Sequence, residues 1–388
     1  MSEEKTIDFV RTHEDDDTGR LLLAADRWPE VDVRRAVRMI EGRRKLREKA
    51  PSWYACTAID YPASLPLEQC SSEETARYKQ AFVPEGGRIA DLTGGLGVDC
   101  WAMSRRAAEA HYCERDEVLC AAARHNFPLL GATHISIHEG DGVAWLEQDT
   151  EGFDLIYLDP ARRDPKARRV YDIADCEPNL LEIKEKLLQH APRVLAKISP
   201  MADLSRTIGQ IPEIRELHIV AAGGEVKELL LLLERSHPAG EPLIVVSEGD
   251  IRFAFHPEEE PAAEVRYAEQ IGKYLFQPAK ALRKAGAFRL LSARFDVAKL
   301  AASTHLYTAD TPTAAFPGKR YVVEEVLSWG NAARQELRRR FDRVELTALN
   351  FPMTTEELRK RLGIPDGGDR HVFATTLNHD KVLIICQP

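Results

Sequence analysis

The sequence lacks the features that mark secreted, membrane-spanning and zinc-binding proteins. No apolar run approaches the roughly 20 residues that a membrane-spanning helix needs, and the first ten residues, MSEEKTIDFV, are too acidic and polar for a secretion signal. The seven cysteines are scattered, with no Cys-x-x-Cys pair and no Cys/His ligand spacing. Such a set is typical of a reducing compartment. We therefore expect a cytoplasmic protein without a metal site and without a membrane partner.

A basic field over the whole chain is also missing. The 53 Lys and Arg residues are outnumbered by 62 Asp and Glu residues, which gives a formal net charge of −9. Basic clusters occur locally, and each of them is more often a solvated face than a binding site. Four clusters on an acidic protein nevertheless hint at a polyanionic partner. They cover residues 34–49, 162–169, 338–343 and 359–361.

The pattern of apolar residues divides the 388-residue chain into four parts. Residues 1–85 read as a helical region, 86–238 as alternating strands and helices, 239–312 as a connecting α+β segment and 313–388 as a small α+β domain. In the second part the strand candidates are RIADL, AHYCE, HISIH, FDLIYLD and VLAKIS. Helix-length segments separate them, which predicts right-handed βαβ crossovers and a parallel sheet covered on both faces.

The stretch ELHIVAAGGEVKELLLLLER departs from this alternation. Its two apolar strands flank AGGE, which is too short to hold a crossover helix. The connection is therefore predicted to be a hairpin, and the last strand to lie antiparallel in an otherwise parallel sheet.

The stretch DLTGGLGVDCWAM is too rich in glycine for an ordinary strand–helix joint. A strand is predicted to end at Asp91 and a helix to begin after Gly97. Gly95 and Gly97 lack a Cβ, so the turn can adopt positive φ and a ligand can approach its backbone. The following helix would offer free N–H groups. A tight turn needed only for packing is the alternative, because a lone Gly-x-Gly is weak evidence.

Acidic residues follow the ends of the next predicted strands. Glu114 ends the second strand, Asp141 follows the third, and Asp159 ends the fourth. The carboxyl ends of parallel strands form the edge where open α/β sheets bind ligands. A carboxylate about 20 residues after the glycine loop is placed to accept the hydroxyls of a ribose. The pattern therefore indicates a nucleoside site.

The loop does not suit a dinucleotide. The third glycine of Gly-x-Gly-x-x-Gly is missing, since Val98, Asp99 and Cys100 follow Gly97. Asp91 and Asp99 place carboxylates at both ends of the loop, and carboxylates repel a pyrophosphate but attract an ammonium group or a sulfonium centre. These features favour S-adenosylmethionine (SAM) as the cofactor.

DLTGGLG resembles the first motif of the class I SAM-dependent methyltransferases, with Thr93 where many members have another glycine. The resemblance implies that Glu114 holds the ribose and that Asp141 lies near the adenine amine. It also implies a Rossmann-like, seven-stranded α/β sheet with an antiparallel last strand, between an N-terminal helical region and a small C-terminal α+β domain.

A closer similarity involves LEQCSSEETARYK, LDPARR and LNFPMTTEELRKRLGIPDGGD. Together with the glycine loop, these stretches resemble a bacterial group of methyltransferases with a C-terminal THUMP-like domain. THUMP domains of better-known relatives bind RNA, so the resemblance implies an RNA partner.

LDPARR resembles the Asn/Asp-Pro-Pro-aromatic motif of amine-directed nucleic-acid methyltransferases. In that motif the side-chain oxygen and a backbone carbonyl accept the amine's hydrogens, and the aromatic ring stacks on the base. Asp159 and Pro160 keep the acceptor and the rigid turn. The aromatic residue is absent, and Arg162 or Arg163 would stack or hold a phosphate instead, with Tyr171 as another source of a ring. The alternative for Asp159 is a helix N-cap.

The predicted function is therefore methyl transfer from SAM to a base in RNA, either rRNA or tRNA. The predicted catalytic residues are Asp159, Pro160 and Arg162, and the predicted cofactor-binding residues are Asp91, Thr93, Gly95, Gly97, Asp99, Glu114 and Asp141. Two other hypotheses remain open. One is a noncatalytic SAM-binding RNA adaptor, favoured by the missing aromatic residue, and the other is a small-molecule methyltransferase whose terminal domain is only a lid.

Overall fold

The computed structural model describes residues 3–62, 64–162, 173–236, 242–313 and 315–388. It divides into two compact units. The first unit comprises Met1–Leu217 and Lys227–Gly240, and the second comprises His218–Val226 and Glu241–Pro388. The predicted domain boundaries after residues 85, 238 and 312 stay predictions. In the described part of the chain, no helix is long and apolar enough to cross a membrane.

The N-terminal region is helical, as predicted. Asp32 caps the longest of its helices by accepting a hydrogen bond from the backbone N–H of Arg35 at 3.0 Å. Ser72 caps the last one and accepts from the N–H of Thr75. The helices are α1 (Glu3–Thr12), α2 (Thr18–Leu23), α3 (Val33–Lys49), α4 (Pro51–Ala55), α5 (Ser64–Gln69) and α6 (Glu73–Lys79).

A region of alternating strands and helices follows. Its elements are β1 (Gly87–Asp91), α7 (Val98–Ser104), β2 (Ala107–Glu114), α8 (Glu117–Leu129), β3 (Ile135–Glu139), α9 (Gly142–Leu146), β4 (Leu155–Leu158), β5 (Ala161–Arg162), β6 (Cys176–Glu177), α10 (Leu180–His190), β7 (Arg193–Ile198), α11 (Leu204–Gln210), β8 (Ile214–Ala222) and β9 (Glu225–Glu234). Strands β5 and β6 pair with each other in a small antiparallel ribbon.

The central sheet has nine strands, of which the first seven in order are β3-β2-β1-β4-β7-β9-β8. The pairs β1–β2, β2–β3, β1–β4 and β4–β7 are parallel, whereas β9 lies antiparallel to β7. The five predicted strands and the closing hairpin are thus confirmed, and so is the predicted fold class. Because these strands are parallel, their carboxyl ends all lie at one edge of the sheet.

The second unit contains a further sheet of seven strands, in the order β13-β14-β12-β15-β18-β17-β16. Its last helix begins with a capping box, since Thr354 and Glu357 bond reciprocally. Its elements are β10 (Leu243–Glu248), β11 (Ile251–Phe255), α12 (Glu259–Ala262), β12 (Tyr274–Pro278), α13 (Lys280–Ala285), α14 (Phe288–Phe295), β13 (Ala298–Ala301), β14 (Thr304–Ala309), β15 (Gly318–Ser328), α15 (Asn331–Arg340), β16 (Glu345–Ala348), α16 (Thr355–Leu362), β17 (His371–Leu377) and β18 (Asp380–Gln387).

Helices α15 and α16 pack on this sheet through Leu337 and Leu358, which are fully buried against Val372 and Ile385. Strand β17 also presents Phe373, and strand β18 presents Ile384, to a separate apolar cluster. Alternate residues of these strands therefore face two cores, which explains their nearly continuous apolar sequences.

Candidate active site

A cavity of about 710 Å³ opens at the carboxyl ends of the parallel strands in the first unit. Its walls come from the loop after β1, the ends of β2, β4 and β7, and the segment before α6. The predicted site residues Asp91, Thr93, Gly95, Gly97, Asp99, Glu114, Asp141, Asp159 and Pro160 all line it. The parallel topology therefore brings together residues that are spread over about 70 positions of the sequence.

The glycines of the loop serve different purposes. A Cβ on Gly94 would lie 2.1 Å from the ring of Tyr112, and one on Gly97 would lie 2.7 Å from the ring of Phe127. Gly97 also has a φ of 91°. These two glycines are needed for packing against β2 and α8. Gly95, with a φ of 55°, is different, because the nearest atom to an added Cβ is the carbonyl oxygen of Thr93 at 3.9 Å. The cavity side of the loop is therefore open at Gly95.

Asp91 is a buried carboxylate with an unused oxygen. Its Oδ1 accepts a hydrogen bond from the N–H of Thr93 at 3.0 Å, and its side chain is almost completely buried. Its Oδ2 is buried and has no hydrogen-bond partner within the residues described. Burial raises the pKa of Asp91 well above its usual range, and the nearby charges of Asp99 and Asp159 add to this effect. A cation entering the cavity would relieve this unfavourable environment.

Glu114 is held in place by backbone amides. Its Oε2 accepts from the N–H of Gly95 at 2.8 Å, and its Oε1 accepts from the N–H of Asp116 at 2.9 Å. The carboxylate is therefore fixed beside the glycine loop. Each oxygen retains a lone pair for a hydroxyl donor, as the ribose interaction predicted from the sequence requires.

Asp141 caps helix α9 and forms an ion pair with Arg115. Its Oδ1 accepts from the N–H of Ala144 at 2.9 Å. Burial raises the pKa of Asp141, but the Ala144 amide and Arg115 outweigh that effect and leave it below the ordinary value. Asp141 is thus an anion at neutral pH, and its contact with an adenine amine stays a prediction.

Asp159 lies directly after β4 and joins two of the motifs. Its N–H donates to Oγ1 of Thr93 at 2.6 Å, and its Oδ2 is 2.6 Å from Nζ of Lys197. The N-cap alternative is wrong, because strand β5 and not a helix follows Asp159. The side chain of Arg162, and the whole of Arg163 and Tyr171, lie outside the described residues.

A buried ionic network supports the floor of the cavity. The ammonium group of Lys79 is inaccessible to solvent and donates to Asp99 at 3.0 Å and to Glu228 at 2.9 Å. Ser71 connects the network to the site, because its Oγ lies 3.2 Å from Nζ of Lys79 and 3.5 Å from Nζ of Lys197. Of the residues in this network, the sequence analysis predicted Asp99 but missed Lys79, Glu228, Ser71 and Lys197.

Asp99 is engaged within this network. Its Oδ2 accepts from the hydroxyl groups of Ser71 and Tyr157, each at 2.8 Å. Burial raises the pKa of Asp99, but Lys79 and Lys197 outweigh it and leave the pKa below its usual value. The carboxylate is therefore ionised and already compensated, and its predicted attraction for a sulfonium stays a prediction.

A signal for the missed residues does exist in the sequence. Lys197 interrupts the apolar strand VLAKIS, and Glu228 precedes a run of five leucines. A charged residue within a buried strand must have a partner, since an isolated buried charge is too costly. The partner itself cannot be read from the sequence.

The arrangement suits a cationic nucleoside. The cavity offers the unused oxygen of Asp91 to a cation, the fixed carboxylate of Glu114 to hydroxyls and an open backbone at Gly95. In the described ranges, no cluster of His, Cys, Asp and Glu could hold a metal ion. The residues present thus fit the cofactor predicted from the sequence.

Comparison with known proteins identifies the family. The structure superposes on the crystal structure of a "putative methyltransferase" from Porphyromonas gingivalis W83 with a TM-score of 0.90 and 36% sequence identity, over 99% of this chain and 97% of the other. The chain belongs to that methyltransferase family.

Two family models match the second unit of the methyltransferase. A ferredoxin-like domain covers residues 274–317, and a THUMP-like domain covers residues 318–388. The recognition of a class I methyltransferase with a C-terminal THUMP-like domain is thus confirmed. No curated protein matches the sequence.

Other solved structures are much more distant. The "putative methyltransferase yhhF" of Escherichia coli is 21% identical, with a TM-score of 0.31 over 42% of this chain and 85% of that one. SMU.1697c, a "putative methyltransferase" from Streptococcus mutans solved in complex with SAH, is 13% identical, with a TM-score of 0.32 over 44% of this chain and 98% of that one. At these TM-scores, neither bears on the function of the methyltransferase.

Proposed function

We propose that this methyltransferase transfers a methyl group from SAM to a base in RNA. The observation that carries the proposal is the buried Asp91, whose Oδ2 is unpartnered among the described residues and whose carboxylate lines the cavity. A buried carboxylate without a partner is costly, so a cationic ligand is the expected complement. When bound there, SAM would supply a methyl group already activated by its sulfonium centre.

The chain's own residues have positioning roles. Asp91 would accept from the ammonium group of the ligand, and Glu114 would accept from its ribose hydroxyls. Gly95 leaves space for close approach of the ligand. Thr93 couples the donor side to the acceptor side, because its N–H bonds to Asp91 and its Oγ1 accepts from the N–H of Asp159. Such alignment of two reactants accounts for much of the catalysis of a displacement reaction.

Asp159 and Pro160 form the acceptor side of the site. Asp159 is fixed by two interactions, one from its N–H and one to its carboxylate, so its orientation does not need to be acquired on substrate binding. The carboxylate would receive a hydrogen bond from the group to be methylated, and the Arg162 side chain would contact the base or a phosphate.

The THUMP-like domain supports RNA as the partner. Within this domain, the guanidinium groups of Arg334 and Arg361 lie 5.9 and 5.8 Å from the ring centre of Trp329. Aromatic side chains next to arginines are typical of surfaces that bind single-stranded nucleic acid. Other arginines in the basic clusters are engaged locally, as Arg339 is with Glu336 and Arg359 with Asp366. Trp329 and its two arginines therefore mark the proposed RNA surface.

The decisive experiment is transfer of tritium-labelled methyl from SAM to total RNA of a strain that lacks the protein. Label in RNA, mapped to one nucleoside after digestion, would support the proposal. Asp159→Ala is the inactive control. Label only in small molecules, or no transfer although SAM binds, would favour the small-molecule or the noncatalytic hypothesis. RNA binding should also weaken steeply with added salt, because phosphate contacts release counterions.

A further inference from the structure

The ammonium group of Lys197 lies beside the predicted catalytic carboxylate. It is 2.6 Å from Oδ2 of Asp159, and its side chain, 15% exposed, lines the cavity. A cation at this place cannot help to bind a cationic methyl donor, because like charges repel. The charge of Lys197 compensates Asp159 and Asp99 in the free protein, and from the cavity wall it is also available to a bound substrate.

The surroundings keep Lys197 charged. Burial disfavours its ammonium form, but the carboxylates of Asp159 and Asp99 outweigh burial and raise its pKa above the ordinary lysine value. The charged and titratable groups around it come from several elements: Asp159 after β4, Tyr157 on β4, Asp99 on α7, Glu228 on β9 and Lys79 on α6. A lysine in this state donates hydrogen bonds and cannot accept a proton.

The charge of Lys197 discriminates between kinds of methyl acceptor. An exocyclic amine is neutral before the reaction and becomes cationic as the methyl group arrives, so a fixed ammonium nearby opposes its reaction. An acidic N–H or O–H group reacts after loss of its proton, as an anion. The same ammonium stabilises that anion and lowers the pKa of the group. The missing aromatic residue after Asp159 and Pro160 already separates this site from the amine-directed motif.

We infer that the methyl acceptor reacts as an anion, either a ring imide N–H of a base or a ribose hydroxyl, and that Lys197 donates a hydrogen bond to its reacting atom. Both acceptors share one chemistry, which is an acidic proton next to the nucleophilic lone pair. The inference rests on the proposed methylation of RNA. A ring imide agrees with the base named there as the acceptor, whereas a ribose hydroxyl would replace that base.

The step balances without a further reactant. The proton of the acceptor passes to the carboxylate of Asp159 and from there to water. The electron pair left on the acceptor forms the bond to the methyl carbon, and the carbon–sulfur bond breaks with its electron pair remaining on sulfur. The sulfonium thereby becomes a neutral thioether, and no group is oxidised or reduced.

The first test identifies the labelled atom in the tritium experiment on total RNA. Label on a ring imide nitrogen or on a ribose oxygen supports the inference. Alkaline hydrolysis separates these two sources, because a methylated 2′-oxygen blocks cleavage and leaves a labelled dinucleotide. Label on an exocyclic amine or on a carbon overturns the inference while the proposed RNA methylation stands. Absence of any label in RNA overturns both.

The second test compares pH–rate profiles of wild type, Lys197→Met and Lys197→Arg on the same RNA. At pH 7, Lys197→Met should be about 100-fold slower, the usual cost of removing one donor to a developing anion. The deficit should shrink by up to about tenfold per pH unit as the acceptor ionises without help. Lys197→Arg keeps the cation and should retain the low-pH limb. A deficit that is equal at every pH would show a merely structural role and refute the inference.

Lys184→Met is the matched control for Lys197→Met. Lys184 is 13% exposed and pairs with a carboxylate, that of Glu213, but it does not line the cavity. It should leave the pH–rate profile unchanged. Calorimetry provides a readout that does not depend on turnover, since Lys197→Met should bind SAM within about a factor of ten of wild type. Loss of SAM binding in that variant would place Lys197 on the donor side and overturn its assignment to the acceptor.

Discussion

Replacement of Asp91 by asparagine should stabilise the free protein and weaken its binding of SAM. The side chain is 1% exposed, and its Oδ2 has no partner in the described parts of the chain. Asparagine keeps the acceptor for the N–H of Thr93 and removes the carboxyl group, which in the free protein must either keep its proton or carry an uncompensated charge. Since each unit by which folding raises a pKa corresponds to about 1.4 kcal/mol at a pH above that pKa, we expect the free energy of unfolding to rise by about 1 kcal/mol at pH 7. The melting temperature would rise by about 2–4 °C.

The pH dependence of this gain has a definite sign. Burial raises the pKa of Asp91 in the folded protein, so the folded state holds a proton that the unfolded state has lost. The wild type is therefore increasingly penalised as pH rises from the unfolded toward the folded pKa. The stability difference between Asp91→Asn and wild type should grow as pH rises above the ordinary aspartate pKa and level off only above the raised pKa of the folded protein. It should vanish below the ordinary aspartate pKa of about 3.9.

SAM binding should change in the opposite direction. Loss of a hydrogen bond from a cation to the carboxylate costs about 1.5–3 kcal/mol, or about ten- to hundredfold in Kd. Because binding of a cation favours ionised Asp91, wild-type affinity should rise with pH below the folded pKa and then level off, whereas the affinity of Asp91→Asn should be nearly independent of pH.

Calorimetric titration with SAM at several pH values measures the change in affinity. Thermal unfolding of the free proteins at the same pH values measures the change in stability. Asp154→Asn is the control, since Asp154 also accepts a backbone hydrogen bond, from Arg88 at 2.8 Å, but does not line the cavity. Equal SAM affinity and equal pH dependence of Asp91→Asn and wild type would refute the assignment of Asp91 as the cation site.

Three further predictions concern other parts of the site. Gly95→Leu should abolish SAM binding in calorimetry yet still fold, because an added Cβ meets no protein atom closer than 3.9 Å. Gly131→Leu is its control: Gly131 lies outside the cavity and has a similar positive φ of 74°, so this variant should be strained equally and still bind SAM normally. Asp159→Ala should lose methyl transfer but keep SAM affinity within about a factor of ten, and undiminished turnover would show that its role is structural. Lys79→Met should lower the free energy of unfolding by about 3–5 kcal/mol in urea titrations, because it leaves Asp99 and Glu228 buried without their cation. Addition of Glu228→Gln should restore part of that loss, and no recovery would mean that the two side chains are not energetically coupled.

Much of the first unit was accessible from local patterns. Short apolar strands alternating with helix-length segments predict a parallel sheet, and AGGE between two strands leaves room only for a hairpin. The helix N-caps at Asp32 and Thr354 can also be recognised in the sequence, because the capping side chain and the backbone N–H that it accepts from lie within three residues of each other. The position of Asp159 at the cavity also followed from local pattern, since parallel strands share one edge.

The glycine loop shows what the local sequence could not predict. Its sequence indicates that side chains are excluded, but not by what. Tyr112 and Phe127 exclude a Cβ at Gly94 and Gly97, whereas only Gly95 is open to the cavity. Those rings belong to β2 and α8, and their positions depend on packing that the loop itself does not encode.

The sequence by itself determined the order of strands and helices, the glycine turn and the carboxylates at the strand ends, because each of these depends on neighbours within a few residues. Only the tertiary structure decided which charges compensate one another. Lys79 donates to Glu228 across 149 positions of the chain, and Lys197 reaches Asp159 from another strand. Electrostatic pairing depends on distance in space and on exclusion of water, and both arise only when the sheet and helix α6 have assembled.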